Sequence, residues 1–218
     1  ILLPNGKVLA AGGRNESGAL SGSELFDPLT GIWTKTGSLN TPRFGHAILL
    51  GNGKVLFAGG EFNGTYLTSA ELYDVETGIW TYTNSMGSFH NYFAPPIQLL
   101  NGKVLFPGNP CGTTCELYDP TTSTWSYTGS MNASRRGSAV VRLSDGRVLA
   151  AGGNICGDFY NEYITSSEIY DPVTGIWTNI SPMNTGKVWV PATLLNNGDV
   201  LVAFGWDTEL YSINHAPF

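Results

Sequence analysis

Apolar residues along the chain fall in short blocks of four to eight positions bounded by Gly, Pro, Asn or Asp, and no stretch holds the 3.6-residue period of an amphipathic helix. The blocks recur. GKVLAAGG at residues 6–13 returns as GKVLFAGG (53–60), GKVLFPG (102–108), GRVLAAGG (146–153) and GDVLVAFG (198–205). After each comes a second block: SELFDPLTGIW, AELYDVETGIW, CELYDPTTSTW and SEIYDPVTGIW, ending at Trp33, Trp80, Trp125 and Trp177, and a shortened TELYS ending at Ser212. A third block precedes the glycine-rich one as HAILL, PPIQL, SAVVRL and PATLL, with only residues 1–3 left of it in the first copy. Each full repeat therefore predicts four strands: a (HAILL-like), b (GKVLFAGG), c (AELYD) and d (IWTYT). Together they form an antiparallel meander.

One such sheet has two apolar faces and cannot bury both alone, so the copies must stack, and a radial stack closes into a propeller. The glycine pair ending strand b, the Tyr-Asp of strand c and the Trp opening strand d recur together, the Trp residues lying 47, 45 and 52 positions apart. In these landmarks the chain resembles the kelch repeat over essentially its whole length. The resemblance implies an all-β, kelch-like β-propeller: a single domain over residues 1–218 with repeats at 1–39, 40–86, 87–131, 132–183 and 184–218. Kelch propellers commonly have six or seven blades. Five are counted here, the last without a strand d, and the open edge is a template for pairing with another chain or copy. The chain opens on Ile1 rather than Met, which reads as a processed chain or part of a longer one.

Composition narrows the function. Charged residues make up 13% of the chain, about half the usual share, and the net charge of -6 leaves no basic stripe for a nucleic-acid backbone. No apolar run is long enough for a membrane-spanning helix. Low charge with abundant Thr, Ser and Asn points to an extracellular or cell-surface protein. Cys111, Cys115 and Cys156 allow three disulfide pairings, each leaving one thiol, and Cys115 takes a slot filled elsewhere by small strand residues. Asn15, Asn63, Asn132 and Asn179 open glycosylation sequons at about the frequency expected by chance.

Repetition argues for scaffold rather than chemistry. Glu24, Glu71, Glu116, Glu168 and Glu209 hold one strand position, Asp27, Asp74, Asp119 and Asp171 open equivalent turns, and Lys7, Lys54, Lys103 and Arg147 share a third position. The glycine pairs suit sharp turns and close backbone approach, and no phosphate-loop string exists. In a meander the a-to-b and c-to-d turns emerge on one rim and the b-to-c and d-to-a loops on the other. The second rim is variable in length and content, and it is where binding residues concentrate on a rigid scaffold.

That rim supplies the candidate ligand-binding residues Arg43, His46, Glu61, His90, Tyr92, Arg135, Arg136, Asp158, Trp189 and Trp206. Aromatic faces beside guanidinium forks and carboxylates suit a hydroxyl-rich ligand such as a glycan, or a protein partner. His46 matches the Arg-x-Gly-His opening of strand a in kelch repeats, where the resemblance implies a supporting role. His90 has no evident counterpart and reads as the better functional candidate.

No HExxH, paired CxxC or GxSxG string is present, so no cofactor is expected. The expected function is a non-enzymatic binding or interaction module. The alternatives are a sugar-active enzyme at the channel mouth, of mutarotase type or of the copper-oxidase type found among kelch-like propellers, and a protein that self-assembles through its open edge.

Overall fold

The computed structural model describes residues 1–90, 94–109, 111–155, 163–204 and 207–211. Every regular element among them is a β-strand. The first sheet holds β1 (Val8–Ala11), followed by the short hairpin β2 (Arg14–Asn15) and β3 (Gly18–Ala19), then β4 (Ser23–Asp27) and β5 (Ile32–Thr36). The second comprises β6 (Ala47–Leu49), β7 (Val55–Ala58), β10 (Ala70–Asp74) and β11 (Ile79–Thr83), with the separate hairpin β8 (Glu61–Phe62) and β9 (Thr65–Tyr66) between β7 and β10 in the chain. The third holds β12 (Ile97–Gln98), β13 (Val104–Phe106), β14 (Cys115–Asp119) and β15 (Thr124–Thr128). The fourth holds β16 (Ala139–Arg142), β17 (Val148–Ala151), β18 (Ser167–Asp171) and β19 (Ile176–Ile180). The fifth is β20 (Ala192–Leu194), β21 (Val200–Phe204) and β22 (Asp207–Tyr211). The orders β6-β7-β10-β11, β12-β13-β14-β15 and β16-β17-β18-β19 are four-stranded meanders, while β1-β4-β5 and β20-β21-β22 have three strands. In the first sheet the opening residues also pair with β1, through a Leu2–Val8 bridge and bonds between Ile1 and Leu9 in both directions.

Cross-strand register explains the recurring aromatics. Phe26 faces Trp33, Tyr73 faces Trp80 and Tyr170 faces Trp177. Their ring centroids lie 5.1, 5.1 and 5.2 Å apart in tilted pairs, a geometry that adds roughly 0.5–1.5 kcal/mol to the area buried.

Both turn types of the first rim follow from short polar side chains. Asn5, Asn52, Asn101, Asp145 and Asn197 each accept the backbone N–H two residues on, with a glycine between at φ from 81° to 93°. Asp27, Asp74, Asp119 and Asp171 cap the c-to-d turns in the same way. Lys7 and Lys54 then tie the two turn types together by ion pairs to Asp27 and Asp74.

The chain divides into two compact units: residues 1–92 with 118–126, and residues 93–117 with 127–218. In the first, a core is built on Leu3, Leu9, Leu39, Val55, Phe57, Tyr73 and Trp80. In the second, β17 alternates between two cores. Val148 and Ala150 pack with Leu105 and Met131, while Leu149 and Ala151 pack with Val200 and Val202. That is the period of two expected of a sheet covered on both faces.

Candidate functional site

The basic residues expected as ligand donors divide into two kinds. Arg43 follows β5 and is fully enclosed. Its guanidinium donates to Gly59 O (3.0 Å), Ser69 O (2.7 Å), Ser69 Oγ (2.9 Å) and Glu71 Oε1 (3.0 Å). Glu71, on β10, is itself fully buried and accepts Asn40 N, Asn40 Nδ2 and Thr41 N as well. Burial draws the Arg43 guanidinium below its ordinary pKa and the Glu71 charge opposes that shift. In the second unit Arg135 repeats the arrangement, donating to Glu168 Oε1 (2.7 Å), Gly152 O, Ser166 O and Ser166 Oγ, while Glu168 accepts Asn132 N, Asn132 Nδ2 and Ala133 N. Arg43 and Arg135 are therefore corrected from ligand donors to structural clamps, because their donors are spent on the protein's own acceptors.

His90 belongs to the same series. Gly13 N donates to Arg43 O, Gly60 N to His90 O and Gly153 N to Lys187 O, so the three carbonyls fill one slot. All three side chains are buried. The backbones approach so closely that a Cβ on Gly12, Gly59 or Gly152 would lie 2.4, 2.0 or 2.5 Å from the carbonyl oxygen of Arg43, His90 or Lys187. This is why strand b ends in glycine. It also means that His90 does have counterparts. The signal was present in the sequence: each of these basic residues, Arg135 included, stands four positions after a buried Leu or Met, namely Leu39, Met86, Met131 and Met183.

Other candidates remain at the surface. His46 is exposed just before β6. Glu61, half-buried on β8, bridges through its backbone to Phe44 and accepts Gly64 N at 3.2 Å. Beside it the Arg14 guanidinium lies 5.5 Å from the Phe44 ring centroid, and Tyr66 stacks on Phe89 at 5.6 Å. The hairpins β2–β3 and β8–β9 that carry these groups were read from sequence only as loops. Asn63 and Gly64, both at positive φ, form the turn of the second.

In the second unit the structure brings two candidates together. Arg136 pairs by backbone with Asn154, which pairs in turn with Tyr163, and the Arg136 guanidinium lies 5.9 Å from the Trp189 ring. Trp189 donates its backbone N–H to Gly137 O. It holds φ at +59°, a region that bulky residues rarely enter, and its side chain remains half exposed. The Asn154 Oδ1 is buried with no hydrogen-bond partner among the described residues. Tyr92, Asp158 and Trp206 lie outside the described residues.

Cys111 is disulfide-bonded and Cys115 is a free, buried thiol, which removes the two pairings involving Cys115. Among the described residues no group of three or more His, Cys, Asp or Glu side chains is arranged to hold a metal ion, and no helix is long and apolar enough to cross a membrane.

Residues 42–87 and 135–184 match the family model of the Kelch motif. Each matched stretch contains both members of one buried clamp, Arg43 with Glu71 and Arg135 with Glu168. A comparison with curated proteins found no match.

Proposed function

We propose that the chain is a non-enzymatic interaction module, a kelch-like propeller of five blades with an incomplete closing blade, which binds its partner through the b-to-c and d-to-a loops. Kelch motifs suggest a protein-interaction role, and a glycan on a partner's surface is the first ligand class to test. The observation that carries this reading is Trp189: a bulky residue held at positive φ, half exposed, beside the guanidinium of Arg136 and the backbone-linked Asn154 and Tyr163. An indole face stacks on a sugar ring or an aromatic side chain, and a guanidinium supplies several hydrogen bonds to hydroxyl, carboxylate or carbonyl oxygens. The disulfide at Cys111 supports an oxidising, extracellular setting.

Glycan-array binding and capture of surface proteins test it, comparing the parent chain with Trp189→Ala and Arg136→Ala. Each substitution is expected to weaken binding at least tenfold while leaving the melting temperature within a few degrees. Retention of full affinity by both variants would move the binding surface away from this pair.

A further inference from the structure

Two segments of the chain read alike: TGSLNTPR at residues 36–43 and TGSMNASR at residues 128–135. Each lies across the sheet that follows it and makes the same bonds. Gly37 N donates to Gly78 O and Gly129 N to Gly175 O, so closely that a Cβ on either glycine would lie 2.2 or 2.0 Å from that oxygen. Leu39 and Met131 enter the cores. Asn40 and Asn132 place their backbone and side-chain N–H groups on the Glu71 and Glu168 carboxylates, and Arg43 and Arg135 complete the ion pairs.

The first sheet presents the same receiving face uncovered. Glu24 stands opposite Ala10 in register, as Glu71 stands opposite Phe57 and Glu168 opposite Ala150. Yet Glu24 and Ala10 are exposed, whereas their counterparts are buried. The Glu24 carboxylate has no partner among the described residues, and Lys35, across from it in register, forms no ion pair with it. Trp33 is 50% exposed, against 3% for Trp80 and 5% for Trp177. Gly31 occupies the turn position at which Gly78 and Gly175 accept their bonds.

We propose that this face of the first sheet is a docking site for a Gly-Ser-(Leu/Met)-Asn-x-x-Arg segment supplied by another kelch repeat. Its carboxylate is complementary to the Asn donors and the Arg charge, and the two filled copies define the fit. Phe26 replaces Tyr73 and Tyr170, whose hydroxyls meet Thr36 and Thr128, so the leading Thr of the pattern is not selected here. A second copy of this chain does not supply the segment, because its own segments at 36–43 and 128–135 are both engaged.

The test uses a blocked peptide copying residues 35–45, titrated into the 218-residue chain. The readout is the indole resonance of Trp33 in nitrogen-15 NMR spectra, assigned with Trp33→Phe. A saturable shift is expected, weakened at least tenfold by Arg→Ala in the peptide and by Glu24→Gln in the chain. Tethering raises the effective concentration of a weak ligand, so the copy of residues 34–47 is also joined directly ahead of Ile1, in the register that aligns Leu2–Val8 with Leu49–Val55. The tethered chain should melt several degrees higher, and Glu24→Gln should cancel the gain. The proposal is overturned if neither the peptide nor the tether has an effect, or if the gain survives Glu24→Gln. Self-association that depends on Trp33 would also overturn it by assigning the face to a second copy.

Discussion

Arg135 and Arg136 are neighbours in the sequence and belong to different regions of the molecule. The first is enclosed, with its guanidinium divided among Glu168, Gly152 and Ser166; the second is half-buried beneath the face of Trp189. One residue step on a loop separates a scaffold bond from a candidate contact surface. Residue type and rim position therefore do not identify a binding residue on a repeat scaffold. What separates the two is whether the protein itself satisfies the side chain.

The sharpest way to break the comparison is to truncate each arginine in turn. Arg135→Ala leaves Glu168 buried with its charge unpaired, and Arg43→Ala does the same to Glu71. Each is expected to cost about 3–5 kcal/mol in urea unfolding. Arg136→Ala should cost no more than about 1 kcal/mol, because its neighbourhood is partly solvated. Equal losses for Arg135→Ala and Arg136→Ala would erase the distinction between clamp and surface.

The same contrast explains what could be read before the structure was known. The repeated strand blocks and their turn residues follow from local patterns of apolar residues and glycines and appear where expected, whereas the hairpins β2–β3 and β8–β9 were not anticipated. The interior clamps were misassigned because the pairing of Arg43 with Glu71 spans 28 residues, and strand periodicity carries no information about it. The repeated spacing from Leu39, Met86, Met131 and Met183 to the next basic residue did encode it. That signal was obscured because the slot holds Arg, His, Arg and Lys in turn. The Arg136–Trp189 pair was only half readable: both residues were expected on one rim, but the positive φ that holds the indole half exposed has no sequence signature, since Trp is among the residues least suited to it.

Interior and edge should also differ in their response to pH, and Cys115 gives the larger effect. Burial raises its thiol pKa from 9.0 to about 11, with bonds involving Gly108 and Met131 opposing the shift. The folded state thus disfavours the thiolate. The associated stability is fully present below the pKa of the unfolded thiol, near 9, and is lost as pH rises through about 11. At roughly 1.4 kcal/mol per pKa unit the loss is about 3 kcal/mol. Cys115→Ala should flatten the stability profile across this window, apart from a small packing cost at all pH values. A parent chain that melts at the same temperature at pH 8.5 and pH 11 would show that Cys115 is reached by water, contrary to its burial.

At the opposite extreme, Asp74 sits at a turn edge in solvent. Its carboxyl pKa is lowered by the backbone N–H of Thr77 first, then by Lys54 and by the Glu76 N–H. A lowered folded pKa places the sign on the acid side: the contribution is present above the ordinary carboxylate range and is lost as pH falls through the folded value. Because the group is partly exposed, solvent and salt screen the Lys54 partner at 3.2 Å, so this is the smallest effect expected. Thermal scans between pH 5 and pH 2 should show a slightly shallower decline for Asp74→Asn than for the parent. Repeating the scans in high salt should leave most of that difference in place, since the backbone N–H of Thr77 contributes more than the ion pair. If high salt removed the difference entirely, Lys54 rather than the turn would hold the carboxylate, and the edge would be a charge lattice instead of a set of capped turns.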